Sequence, residues 1–329
     1  MVVIKKPLQG LFFNGIIVSM KTILLGEILN KNTSLRNSLG PFVEVLYSVE
    51  KNIPFNLRHN FYNNLSTLKV ELNLDKTKIL KNFYSFGIYD AKKNKIIIDS
   101  YAIKKFLKKN NINVIYFNEY INLFLYHELM HMASSKKDGN IYYSGFDKYP
   151  VNITELYSRS LTEGYTEYLA CRYYNIYNNF YYIDMKIINM LMCILGNDVI
   201  AYSYYNTLGI ALLIQNLKEI CPNEDIDKLF KNINNRYSER INNDNVYFIP
   251  LIQNILVNIF IEKINNDILN GVTYEELMPY INFFKKSLIT YNGLKKNYPR
   301  YRNFPNLNES LIKFNMFYEN IVNNINMHR

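Results

Sequence analysis

The sequence predicts an α+β fold that is mostly helical, with a small β-hairpin or sheet and a helical C-terminal lobe. Three observations carry this expectation. Two segments, 113–136 and 152–175, have helical character. A pair of β-patterned runs brackets a polar turn just upstream of the first of them. From about residue 180 onward the apolar residues repeat with the period of a helix.

Taken in chain order, residues 1–83 are mixed in pattern, and Asn30–Ser34 reads as a loop. Tyr84–Asp90 and Lys95–Asp99 flank Ala91–Asn94, which predicts a hairpin, and a basic helix follows to about residue 110. The helix predicted at 113–136 runs through Asn118–Tyr126 without Gly or Pro. Lys136, Lys137, Asp138 and Gly139 are expected to form its cationic last turn and stop. Further on, Leu251, Ile252, Ile255, Leu256, Ile259 and Phe260 form a core-facing helical stripe. Thr273 and Glu276 have the spacing of a capping box, Pro279 predicts a kink, and Gly293 is expected to close that helix.

The chemistry concentrates in His127-Glu128-Leu129-Met130-His131, which uses two of the four histidines in 329 residues. On a helix, positions i and i+4 stack one turn apart, so both imidazoles face one point. Neutral imidazole nitrogens suit Zn2+, and Glu128 stands where a carboxylate could polarise a metal-bound water. A catalytic zinc needs a third protein ligand and an open position. His59 lies far upstream, His328 is penultimate, and Cys171, Cys193 and Cys221 do not gather around the motif. A carboxylate is therefore expected downstream, where Leu161–Ala170 offers Glu163 and Glu167 on one helical face. One could bind the metal while the other accepts the free N–H of a ligand histidine and fixes its tautomer. Gly164 weakens a helix, and makes sense if this helix approaches the His127–His131 helix closely.

This arrangement, HExxH followed at a distance by Glu163 and then Glu167, resembles the gluzincin (thermolysin-like) zinc metallopeptidases. More narrowly, Leu161–Leu169 resembles the NEGxTEYL segment of zinc-peptidase-like proteins in low-GC Gram-positive bacteria, with Thr162 where that pattern has Asn. The resemblance covers about residues 84–175. It implies a zincin-like catalytic lobe at 1–175 and a helical C-terminal lobe at 176–329 that forms the far wall of a cleft. It also implies one catalytic Zn2+ held by His127, His131 and Glu163, with Glu128 as general base and Glu167 as the partner of a ligand histidine. The spacing from His131 to Glu163 is longer than in thermolysin, and an inserted loop at Asp138–Pro150 accounts for it. Zincin-like folds place an edge strand near the hairpin, where a peptide can add by main-chain hydrogen bonds at Ile96–Ile98. A transition-state donor is not singled out by the sequence: Tyr165, Tyr202, Tyr204 and Tyr205 are all candidates among 30 tyrosines.

Composition narrows the remaining classes. Apolar residues make up 49% and charged ones 20%, as expected for a folded globular chain. The net charge of +10 is carried by lysines scattered singly or in pairs, with no basic stripe and no Gly-rich phosphate loop, so no nucleic-acid partner is expected. No apolar run reaches the length of a transmembrane helix, so no membrane partner is expected either. Three cysteines, an odd number, argue against a disulfide framework. Residues 5–20 imitate a signal peptide, but Asn14 and Gly15 interrupt the apolar run and no small-residue cleavage site follows; the cytoplasm is the expected location. The expected partner is a peptide or protein substrate. Competing expectations are an inactive zincin-fold peptide-binding module, a regulatory peptidase dedicated to one protein, and a structural zinc domain.

Overall fold

A computed structural model describes residues 25–73, 86–149, 158–174, 180–206, 208–242, 247–299 and 304–327. Among these, 73% are helical and 9% lie in strands, which agrees with the predicted α+β, mostly helical class. The signal-like stretch at 5–20, the segments 84–85 and 152–157, residue 175 and His328 lie outside the described residues. The chain forms two compact units, Met1–Leu125 and Tyr126–Arg329. Compactness thus divides the chain at 125/126, whereas the sequence reading puts a lobe boundary at 175.

In the first unit, helical residues 25–31 are followed by α1 (Thr33–Leu39), α2 (Val43–Asn52) and α3 (His59–Leu65). The loop expected at Asn30–Ser34 reduces to Asn32, because its side chain accepts from the Leu35 N–H and so starts α1 directly. Strands β1 (Lys69–Asn73), β2 (Gly87–Asp90) and β3 (Lys95–Asp99) form a sheet in the order β1-β3-β2. The hairpin is present: β2 and β3 are antiparallel, pairing Ile88 with Ile97. Its turn is fixed by the Asp90 carboxylate, which accepts from the Lys92 and Lys93 N–H groups. Asn94 takes a φ of 45° there and is anchored through Nδ2 to the Asn64 carbonyl at 2.6 Å. However, β3 also pairs in parallel with β1, matching Val70 with Ile96 and Leu72 with Ile98. Both sides of Ile96–Ile98 are therefore occupied, and this stretch is no edge to which a peptide can add. Asp99 then caps α4 (Ser100–Lys109) by accepting from the Ala102 N–H at 2.8 Å.

Helix α5 (Phe117–Ala133) carries the chain from the first unit into the second. It does not extend to 136: Ser135–Asp138 form β4, which begins an antiparallel meander with β5 (Ile141–Ser144) and β6 (Asp147–Tyr149). The expected cationic last turn is instead a strand whose Lys136, Lys137 and Asp138 are exposed while Ser135 is buried. The expected inserted loop is this same meander. At its second turn Gly145 has a φ of 59°, and a Cβ there would lie 2.6 Å from the Tyr204 ring, so both conformation and space require glycine.

The rest of the second unit is helical: α6 (Arg159–Tyr174), α7 (Tyr182–Leu195), α8 (Asn197–Tyr205), α9 (Ala211–Ile220), α10 (Ile226–Asn242), α11 (Phe248–Leu269), α12 (Tyr274–Ser287), α13 (Tyr291–Asn297) and α14 (Asn308–Met327). Helix α7 packs against α6, α11 and α12. The predicted stripe buries Ile252, Leu256, Ile259 and Phe260 on α11, while Leu251 is 43% exposed. Phe260, Phe284 and Phe314 join α11, α12 and α14, with ring centroids 3.9 Å apart for the first pair and 5.5 Å for the second. The capping box at Thr273 and Glu276 is present, and Pro279 lies inside α12. Gly293 does not close that helix; α12 ends at Ser287, and Gly293 lies within α13, whose start is capped by the Thr290 hydroxyl. No helix among the described residues is long and apolar enough to cross a membrane.

Gly164 permits a close approach, but to α7 rather than to the His127–His131 helix. A Cβ at this position would lie 2.6 Å from the Asp184 carbonyl oxygen. Behind that contact, Asp184, Ser160 and Arg236 form a buried network joining α6, α7 and α10. Because backbone meets backbone, the neighbour cannot rotate away. Gly164→Ala should therefore lose about 1–3 kcal/mol to overpacking, exceeding the propensity gain of about 1 kcal/mol that Ala brings to a helix. Denaturant unfolding measures this, and a midpoint equal to or above wild type would contradict the packing described.

Candidate metal centre

Sequence periodicity places His127 and His131 one above the other on α5, and the end of that helix is secured where His131 sits. The His131 carbonyl, one of the acceptors a helix leaves without a partner at its C-terminus, accepts from the hydroxyls of Ser135 at 2.7 Å and Ser134 at 3.1 Å. Ser144 on β5 reaches it at 3.5 Å. Leu129, Met130 and Met132 are fully buried on the same turns, so the ligand-bearing backbone is held from several sides.

Helix α6 supplies the carboxylates. Thr162 accepts the Phe146 N–H on its hydroxyl at 3.1 Å and so ties α6 to the β5–β6 turn. Thr166 donates to the Thr162 carbonyl at 2.7 Å, which leaves its oxygen to accept from the Tyr204 hydroxyl at 2.7 Å. From this helix Glu163 and Glu167 both reach the histidines, and all five motif residues are nearly buried. Relative exposures are 6% for His127, 7% for Glu128, 9% for His131, 6% for Glu163 and 2% for Glu167.

Glu167 Oε2 lies 2.9 Å from His127 Nδ1. A carboxylate only accepts, so Nδ1 carries the proton and Nε2 of the neutral ring is a lone pair. That lone pair lies 3.2 Å from His131 Nε2 and 3.3 Å from Glu163 Oε2, and His131 Nε2 is 3.5 Å from the same oxygen. Two imidazole nitrogens and a carboxylate oxygen, each able to serve as a metal ligand, thus converge on one point, where a proton or a cation between them is favourable. The edge of a tetrahedron with arms of about 2.0–2.1 Å is about 3.3 Å, so the three separations match the face that a tetrahedral metal would occupy. His127, His131 and Glu163 form the group that could hold a metal ion among the described residues.

Without a metal, electrostatics puts a proton there. Burial works against a charged His127, but hydrogen bonds to Glu163 and Glu167 and the charges of Glu167 and Glu128 outweigh it, holding its pKa well above the usual imidazole range. Burial works against an ionised Glu163 too, and the charge of His131 with hydrogen bonds from both imidazoles reverses this, holding the carboxyl well below its usual range. The charge of Glu128 is felt at both His127 and Tyr204.

Sequence reasoning missed three neighbours. Tyr181 stacks its ring on His127, with centroids 5.7 Å apart and planes 17° from parallel. Arg159 Nε–H donates to Glu163 Oε1 at 3.3 Å. Cys171, expected to lie away from the motif, donates its thiol to Glu167 Oε1 at 3.4 Å. The i,i+4 spacings of Arg159 and Cys171 from the two glutamates were the available signal; for Tyr181 there was none. The candidate tyrosines are spent elsewhere. Tyr165 bonds Asn197 at 3.3 Å, Tyr204 bonds Thr166, Tyr205 donates to the Met130 sulfur at 3.3 Å, and Tyr202 is 46% exposed. Burial pushes the phenols of Tyr165, Tyr204 and Tyr205 above the ordinary tyrosine range. Cys193 and Cys221 are free, buried thiols pushed up to about 12, which makes them poor ligands and nucleophiles.

Comparison with protein-family models, with curated proteins and with solved structures finds no match to this chain. The site's chemistry rests on its own geometry.

A metal entering this group must displace the proton on His127 Nε2, while Glu163, held low, has none to give. Affinity for a divalent metal should therefore rise with pH, by roughly tenfold per unit for one proton released, up to the raised pKa of His127. Competition titrations from about pH 6 to about pH 8 measure the slope. A flat profile would mean that His127 is not the protonated group the metal replaces.

Proposed function

We propose that this chain is a zinc-dependent metallopeptidase of gluzincin type, with His127, His131 and Glu163 as metal ligands and Glu128 as general base. One observation carries the reading. Two imidazole nitrogens and a carboxylate oxygen stand at 3.2, 3.3 and 3.5 Å from one another, and a fourth group, Glu167, fixes the tautomer that points the His127 lone pair inward. Two imidazoles and one carboxylate form the donor set of a catalytic zinc, which keeps its remaining position open.

When bound, zinc supplies Lewis acidity, lowering the pKa of water towards about 7 and polarising a carbonyl. The protein's residues do the rest. Glu167 keeps His127 in one tautomer and raises its basicity through the Nδ1–H bond. Glu128 takes a proton from the water as the water attacks the scissile carbonyl carbon, then delivers that proton to the amine nitrogen as the C–N bond breaks. Its burial supports the role: a nearly buried carboxylate whose charge acts on His127 is costly, and a purely structural zinc domain would have no need of it. The substrate class proposed is a peptide or protein.

Metal content and turnover separate the roles. Protein purified without chelator should carry about one zinc per chain, and His127→Ala or His131→Ala should lose most of it. Glu128→Gln should keep its zinc and fold while peptide cleavage falls roughly 100- to 10,000-fold. Elemental analysis and a peptide-library digest on the same preparations make the test. Zinc content unchanged in both histidine variants would remove the site, and cleavage that survives in Glu128→Gln would assign proton transfer to another group.

A further inference from the structure

The two carboxylates of α6 share a pattern. Each turns one oxygen to the histidines and gives the other to a residue one helical turn away on α6 itself. Glu167 directs Oε2 to His127 Nδ1 and Oε1 to the Cys171 thiol. Glu163 directs Oε2 to both imidazole Nε2 atoms and Oε1 to Arg159 Nε.

Arg159 is poorly explained as a helix stabiliser. It is the first residue of α6, where the positive end of the helix dipole disfavours a cation. Its order, Arg before Glu at i,i+4, is the less favourable orientation of such a pair. With its side chain 40% exposed, the pair would ordinarily add little stability. What it does accomplish is local: it occupies the oxygen of Glu163 that the metal group does not use.

A carboxylate beside a metal can bind through one oxygen or through both. Two imidazoles and a chelating Glu163 would supply four protein atoms, so that a water raises the count to five, whereas a one-oxygen Glu163 with that water makes four. We propose that Arg159 is the positioning residue that keeps Glu163 a one-oxygen ligand, by holding Oε1 so that only Oε2 is presented to the metal. This inference rests on the metal site proposed above, and it concerns coordination number rather than the identity of the ligands.

Cobalt-substituted protein provides the test, because the visible d–d bands of Co2+ are intense in four-coordinate sites and much weaker in five-coordinate ones. Spectra would be recorded for wild type, for Arg159→Met and Arg159→Ala, which lack the donor, and for Arg159→Lys, which retains one. Circular dichroism of the metal-free forms would accompany them. Wild type should show the intense four-coordinate pattern. The Met and Ala variants should bind the same amount of cobalt with a several-fold loss of band intensity, and Lys should restore most of it. A merely structural role for Arg159 would shift unfolding midpoints and leave the spectra alike. Equal spectra in wild type and both donor-less variants would overturn the proposal, as would a wild type that is already five-coordinate; either result leaves the metal site standing. Cobalt uptake by wild type no greater than by His131→Ala would overturn the site itself and this inference with it.

Discussion

The hydrogen bond between Glu167 and His127 Nδ1 is the constraint on which the site depends. It commits one ring nitrogen as a donor and so turns the other into a lone pair, facing His131 Nε2 and an oxygen of Glu163. With a lone pair on both rings, these atoms would repel. Hydrogen bonds to Glu163 and Glu167 favour a proton on His127 and hold its pKa above the usual imidazole range. A divalent cation would be favoured there too, because the charge of Glu128 also acts on His127. The overall charge of +10 is no substitute: lysines spread over a surface are screened by water, while three carboxylates in a nearly buried site need compensation within a few ångströms.

The surrounding packing can be understood as the means of keeping α6 where Glu163 and Glu167 reach the histidines. Gly164 lets α6 settle against the backbone of α7. The buried Asp184, Ser160 and Arg236 network fixes α6 to α7 and α10. On the opposite flank, Thr162 accepts from the β5–β6 turn, and the meander returns Ser144 to the end of α5. These contacts lie within the second unit, so α6 and the histidine-bearing turns are held by one body of structure.

The sequence made some of this legible and left some hidden, for physical reasons. Residues four apart on a helix share a face whatever surrounds them, which is why the pairs His127 and His131, and Glu163 and Glu167, could be read directly, while their meeting was expected from the need for a third ligand and from the resemblance. The capping box at Thr273 and the hairpin around Asn94 were legible for the same reason: their signals are local. What a face meets is not local. Gly164 announced a close approach without naming α7 as the neighbour. Ile96–Ile98 read as half of a hairpin, and nothing nearby revealed that β1 takes the other side. The stretch after His131 carried the charges of a helix end, yet the hydroxyls of Ser134 and Ser135 end the helix and a strand begins at once. Among 30 tyrosines, composition hid the one that stacks on His127.

The central claim is that two imidazoles and a carboxylate hold zinc in a four-coordinate site. X-ray absorption at the zinc edge, recorded on the purified full-length chain, measures the donor atoms directly. The account predicts nitrogen and oxygen scatterers at about 2.0–2.1 Å, outer-shell scattering from two imidazole rings, and no sulfur shell. A sulfur shell at about 2.3 Å, or a metal surrounded by oxygens without imidazole scattering, would contradict it.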